Sequence, residues 1–381
     1  MKSIPAAIVA AAAIALSAGS APAAHSACPY QGQVFIYGQN GWETLTNALA
    51  ANQTPCVQYY IVLTAISDKT VPRGRRAIDF VHAKGGNFHA LAEFNWAHWS
   101  KVTGSWYSKG VKFRRRMAAA GYNPALGDSW AVNELSSATR SLPAARTKVR
   151  DALRGLFTGP RGSPPQMGAV FTIGMTQRLR NFGPYKSQVE SWLADAAFWT
   201  AVTPYVAWWG QEAYPSCSLV CVATAKVAVR SSHVNDFVEH PAKLASAGPA
   251  ATVAVRNLFD RSYFPVMTAY WNDPKGYGNN RISRDAMQKL VSLEVYAARA
   301  WAGRNPYPDG RIGFAWNEHP AGATPADVQS LATRLARAIQ AAYGDGGTAG
   351  KACSPTGAYT LCKAAVQGAA FNERWKTFET W

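Results

Sequence analysis

Residues 129–134 read Ser129-Trp130-Ala131-Val132-Asn133-Glu134, a short apolar run that stops on an amide and a carboxylate. Gly313-Phe314-Ala315-Trp316-Asn317-Glu318 repeats that ending, and Val206-Ala207-Trp208-Trp209-Gly210-Gln211-Glu212 does much the same. Each run has the length and aromatic content of a strand, and each delivers polar groups where the strand stops.

Working outward from these three, further runs of the same kind predict strands at 34–38, 59–66, 88–95, 169–175 and 264–271. The first set spans 129–134, 205–211 and 311–316, which makes eight in all. Segments between them have helical spacing: Ile78 and Val81 share a face within 75–84, and Val149, Leu153 and Leu156 do so within 144–157. Longer helical patterns occupy 187–200 and 283–301. Thr324-Pro325-Ala326-Asp327 supplies an N-cap, a proline in the first turn and an early acid for a last helix. Strand–helix alternation eight times over predicts an α/β chain folded as a (β/α)8 barrel. An open doubly wound sheet is the rival, and no G-x-G-x-x-G follows the first strand to support it.

The remaining segments sort around that barrel. Lys2, the apolar stretch from Ile4 to Leu16 and the small residues from Ala21 to Ala27 read as an export leader over 1–27. Its apolar run is too short to span a membrane, which takes roughly 20 residues. The barrel then covers 28–343, and 344–381 is a Gly-rich and then aromatic extension expected to pack back on it. Two insertions, 216–232 and 272–280, follow the sixth and seventh strands. The six cysteines fall into three neighbourhoods, so an exported chain would carry the local pairs Cys28–Cys56, Cys217–Cys221 and Cys353–Cys362 as disulfides. No pair has the spacing of a zinc site.

The formal charge is +17. Such a surplus favours acidic surroundings or an anionic partner, such as a cell-wall polymer. Its densest cluster is Lys109, Lys112, Arg114, Arg115 and Arg116, which reads equally as the outer face of a helix. The basic residues are otherwise spread along the chain, so nucleic acid is not the expected partner. No cofactor, membrane or second subunit is called for.

In a (β/α)8 barrel, chemistry sits at the carboxyl ends of the strands. With only 22 acidic residues in the chain, several of them at strand ends is informative, because a charge in an apolar run is costly unless paired or used. The expected catalytic carboxylates are Glu134, Glu212 and Glu318. The expected binding residues are Asn133, Glu93, Asn95, Trp96, Tyr37, Trp209, Gln211, Tyr270, Trp271, Trp316 and Asn317. Carboxylates suit proton transfer, and indole faces suit sugar rings. A salt bridge to one of the many arginines is the structural alternative for each carboxylate.

The Asn133-Glu134 pair at the end of the fourth strand resembles the clan A glycoside hydrolases. That resemblance implies Glu134 as general acid/base and Asn133 as its substrate-binding neighbour. At the seventh strand, where the clan places its nucleophile, this chain reads Met267-Thr268-Ala269-Tyr270-Trp271-Asn272-Asp273 and offers no Glu. The second carboxylate then falls to Glu212 or Glu318. The expectation is an exported, monomeric glycoside hydrolase acting on an extracellular or cell-wall polysaccharide or oligosaccharide. A non-catalytic glycan-binding barrel is the alternative, and a basic protein coating anionic wall polymers is a third. No G-x-S-x-G, H-E-x-x-H or Walker A sequence points to other chemistry.

Overall fold

Eight parallel strands, hydrogen-bonded in the order of the sequence, close on themselves as a barrel in the computed structural model of the protein. The strands are β1 (Gly32–Gly38), β2 (Val57–Leu63), β3 (Phe88–Phe94), β4 (Ser129–Val132), β5 (Gly168–Ile173), β6 (Val206–Glu212), β7 (Tyr263–Thr268) and β8 (Arg311–Trp316). The structure describes residues 32–38, 41–63, 71–133, 135, 143–173, 191–212, 262–269, 311–319 and 323–343, with single positions 253, 254, 258, 291 and 295. Closure comes from β8 pairing with β1, where Tyr37 sits opposite Ala315 and Gly38 opposite Trp316. The described helices are α1 (Glu43–Ala51), α2 (Val71–His82), α3 (Trp96–Ser100), α4 (Trp106–Ala120), α5 (Pro143–Thr158), α6 (Ala196–Val202) and α7 (Pro325–Tyr343).

Several of these elements explain themselves locally. Ser105 caps α4 by accepting the Ser108 N–H, and Gly121 ends it in the left-handed region at φ 101°. At α7, the Thr324 hydroxyl accepts from the Asp327 N–H while Asp327 Oδ2 accepts from the Thr324 N–H, a reciprocal cap. Helix α2 starts at Val71 rather than the expected Arg75, since Pro72 in its first turn removes an N–H that has no helical partner there anyway.

Two apolar layers hold the barrel. Phe35, Tyr60, Leu91, Ala131, Phe171 and Phe264 fill the lumen. Residues of the opposite strand parity, including Ile36, Ile61, Trp130, Trp209 and Phe314, pack outward on the helices. Among the described residues that outer layer holds six fully buried indoles: Trp99, Trp130, Trp192, Trp199, Trp209 and Trp316. Aromatic side chains bury about 150–250 Å² each, so these dominate the sheet–helix contact. Helices α4 and α5 approach without intervening side chains, because Gly110 and Gly155 face each other; a Cβ on Gly155 would lie 2.2 Å from the Tyr107 carbonyl oxygen.

Cys56, at the foot of β2, is buried and disulfide-bonded. Cys28, Cys217, Cys221, Cys353 and Cys362 lie outside the described residues, and so do the expected leader, both insertions and the C-terminal extension. Among the described residues no helix is long and apolar enough to cross a membrane.

Candidate functional site

The lumen is polar below, apolar in the middle and polar again at its carboxyl-end mouth. Low in the barrel, Gln33 Oε1 accepts from the Trp208 indole N–H at 3.0 Å and from Arg311 Nε at 2.8 Å. His89 places Nε2 2.5 Å from Gln58 Oε1 and Nδ1 2.6 Å from the Leu126 carbonyl oxygen, and burial holds its pKa below the ordinary value. Burial also pushes the Tyr60 hydroxyl up to about 12, against the pull of Arg311. Above this floor Phe35 stacks on Tyr60 and Phe264, with ring centroids 4.8 and 4.2 Å apart. The middle of the barrel is therefore closed, and a ligand can be met only at its ends.

At the mouth, the uppermost inward positions of β1 and β3 are Tyr37 and Glu93. Asn133 and Asn317 take the same parity immediately past β4 and β8. Asn133 reaches across the barrel and donates from Nδ2 to the Tyr37 hydroxyl. Its Oδ1 is shielded from solvent and has no hydrogen-bond partner. Glu93 is only 3% exposed, and its register partner is Ala131, two residues before Asn133. Asn317 is also buried, and its Oδ1 accepts the His319 N–H at 2.8 Å, which turns the chain away from β8. Four of the expected binding residues, Tyr37, Glu93, Asn133 and Asn317, thus share the lumen parity at one end of the barrel.

Others on the expected list are placed elsewhere. Trp209 and Trp316 are corrected: both are fully buried on the outer face of the sheet and present no ring to the mouth. Trp209 donates to Thr172 Oγ1 at 3.1 Å and packs against Trp199 at 5.1 Å. Strand alternation gives the lumen to Trp208 instead, the neighbour that the expected list left out. Asn95 caps α3 by accepting the His98 N–H at 2.9 Å. Trp96 opens that same helix and stacks on Trp106, with centroids 4.0 Å apart.

Glu318 also departs from its expected role. Its Oε1 accepts the Thr44 N–H in the first turn of α1 and the Trp316 indole N–H at 3.4 Å. It serves the exposed donors of a helix N-terminus, where a carboxylate is favoured. Burial holds its pKa above the ordinary carboxylate range, with the Thr44 bond opposing. Glu134, Tyr270 and Trp271 lie outside the described residues. Gln211 and Glu212 are the last two residues of β6, and their side chains lie outside the description. No cluster of three or more metal-ligating side chains occurs among the described residues.

No protein-family model matches this chain, and no curated protein matches it. Among solved structures, it is similar to a native KDPGal structure at 10% identity, covering 81% of this chain and 94% of that one with a TM-score of 0.32. It is also similar to a citrate lyase from Burkholderia xenovorans LB400 at 12% identity, covering 79% and 76% with a TM-score of 0.34. The expectation of a glycoside hydrolase, and with it a glycosidase's pair of carboxylates, is corrected here. No glycoside hydrolase family is shown for this chain, and what remains of the resemblance to the clan A enzymes is the parallel α/β barrel. The placement of Glu318 on α1 agrees with that correction.

Proposed function

We propose that the chain is an enzyme working at the carboxyl-end mouth of its barrel, on a small polyhydroxylated molecule such as a carbohydrate, by proton transfer rather than glycosidic hydrolysis. Glu93 is the proton-transferring group, and Asn133 receives a hydroxyl or N–H of the bound molecule. One observation carries this reading: Asn133 is fixed by Tyr37 through its amide nitrogen while its oxygen is buried without a donor. An unsatisfied buried acceptor costs about 1–3 kcal/mol. Such a group is explained when a ligand supplies the missing donor. A buried carboxyl on the neighbouring strand is the residue type that proton transfer calls for.

The test is a thermal-shift panel of sugars, sugar acids and hydroxy acids, followed by turnover assays on whatever stabilises the protein. Asn133→Ala should abolish the shift. Glu93→Gln should keep it and lower turnover roughly 10²–10⁴-fold. A hit that binds Asn133→Ala as tightly as the parent, or turnover within a few-fold in Glu93→Gln, would reject the assignment.

A further inference from the structure

Helices α2, α4 and α5 form one continuous flank of the barrel, with α4 packed between the other two. Together they carry twelve lysine and arginine residues against two carboxylates, Asp79 and Asp151. Two other described helices are not built this way: α1 has no cation, and α7 has two with one acid. Among the described helices, positive charge is therefore concentrated on this flank.

Part of this charge is structural. Arg114 is buried and donates to the Leu156 carbonyl at 2.6 Å and the Pro164 carbonyl at 3.2 Å, finishing the end of α5. Arg146 pairs with Asp195 at 3.0 Å. Arg76, Lys112, Arg115, Lys148 and Arg154 remain exposed along the flank. Packed helices lie about 8–10 Å apart, which is close to the Debye length of about 8 Å at physiological salt. The fields of neighbouring helices therefore overlap into one positive stripe.

The aromatic rings of this flank are covered by its own cations. Lys109 Nζ stands 4.2 Å over Trp106, and Arg154 lies 4.8 Å over Tyr107. Trp106 is further occupied by Trp96. Single-stranded nucleic acid binding rests on aromatic platforms as well as charge, and here the platforms are taken. A partner read by charge alone fits better.

We propose that the α2–α4–α5 flank is a docking surface for a linear anionic polysaccharide, held by carboxylate–cation contacts along the stripe. The flank lies on the outer wall of the barrel, so docking there leaves the mouth open, and the proposal stands independently of any reaction at Asn133 and Glu93.

The probe is immobilised polygalacturonate, with binding of the full chain measured by interferometry at low and high salt. Binding at low salt that fades at high salt is expected. Lys112→Gln with Arg115→Gln should weaken it on the order of tenfold, and the equal-charge control Arg334→Gln with Arg337→Gln on α7 should change it less than about twofold. Lys112→Arg with Arg115→Lys should retain it, separating charge from any disturbance of α4. Equal losses in the two neutralised doubles would reduce the effect to net charge and overturn the proposal, as would binding indifferent to salt. Duplex DNA that displaces the protein from polygalacturonate at equal charge concentration would assign the flank to nucleic acid instead.

Discussion

Glu318, two residues beyond the end of β8, accepts the backbone N–H of Thr44 in the first turn of α1. A carboxylate at a strand end is thereby spent on seating a helix. Gly41 is part of the same junction, since a Cβ there would lie 3.1 Å from the Glu318 carboxyl, in a backbone conformation at φ +131° that already excludes most side chains. The junction ties the last strand to the first helix across the point where the barrel closes.

This contact has a pH signature. Burial raises the Glu318 pKa above the ordinary 4.5, and nearby Glu43 adds to that while the Thr44 N–H works against it. A carboxyl with a raised folded-state pKa binds its proton more tightly in the folded than the unfolded chain. Its ionisation therefore weakens the fold as pH rises through the raised pKa, and the fold recovers as pH falls back toward 4.5. Glu318→Gln keeps an oxygen for Thr44 and removes the charge. Its melting temperature should equal or exceed the parent's near neutrality, with the advantage shrinking on acidification. A constant difference from about pH 8 to about pH 4 would contradict this.

Among the described carboxylates, Asp128 should be the most sensitive for stability. It is 1% exposed and accepts the Ala90 N–H at 2.8 Å, the Asn123 N–H at 2.9 Å and His82 Nε2 at 2.9 Å. Asp128→Ala strands the buried Ala90 N–H and the part-buried Asn123 N–H, and should cost about 3 kcal/mol in urea unfolding. His82→Gln, at a partly exposed side chain, should cost less than half of that.

Helices α4 and α5 meet glycine to glycine. In Gly155→Ala the new methyl must displace the Tyr107 backbone, because its Cβ would stand 2.2 Å from that carbonyl oxygen and 3.2 Å from the Gly110 Cα. A loss of about 1–3 kcal/mol or more is expected. Gly86→Ala, with nothing within 4 Å and no left-handed φ, is the matched control and should unfold like the parent.

Tyr37→Phe separates positioning from folding at the mouth. The ring remains packed 6.0 Å from Phe171 while the hydroxyl that holds Asn133 is lost. Any ligand found by thermal shift should bind Tyr37→Phe more weakly, by about 0.5–1.5 kcal/mol for one neutral hydrogen bond, that is, roughly 2–12-fold. The melting temperature of the free protein should change little. A large melting change with unaltered affinity would place Tyr37 in the core alone.

The strand order was legible because each strand is a short apolar run set between helical patterns, and an eightfold alternation of that kind has few other foldings. Candidate mouth residues were partly legible for the same reason: Tyr37, Glu93, Asn133 and Asn317 sit where such runs stop. Trp208 and Trp209, and likewise Ala315 and Trp316, show where reading failed. In a parallel sheet covered on both faces, inward and outward positions are both apolar, so the alternation that marks an inside face in other sheets is absent from the chain. Choosing Trp208 over Trp209 needed the closed barrel itself.

What the amino-acid sequence alone determined is therefore the class of fold, the dense basic cluster from Lys109 to Arg116, and the set of polar residues gathered at strand ends. Tertiary structure alone decided which of those residues face one another. Asn133 meets Tyr37 from a strand three places round the barrel, and Glu318 turns to α1, 274 residues earlier in the chain. Such pairings depend on strand parity and on closure of β8 onto β1, and no local preference of the chain encodes either.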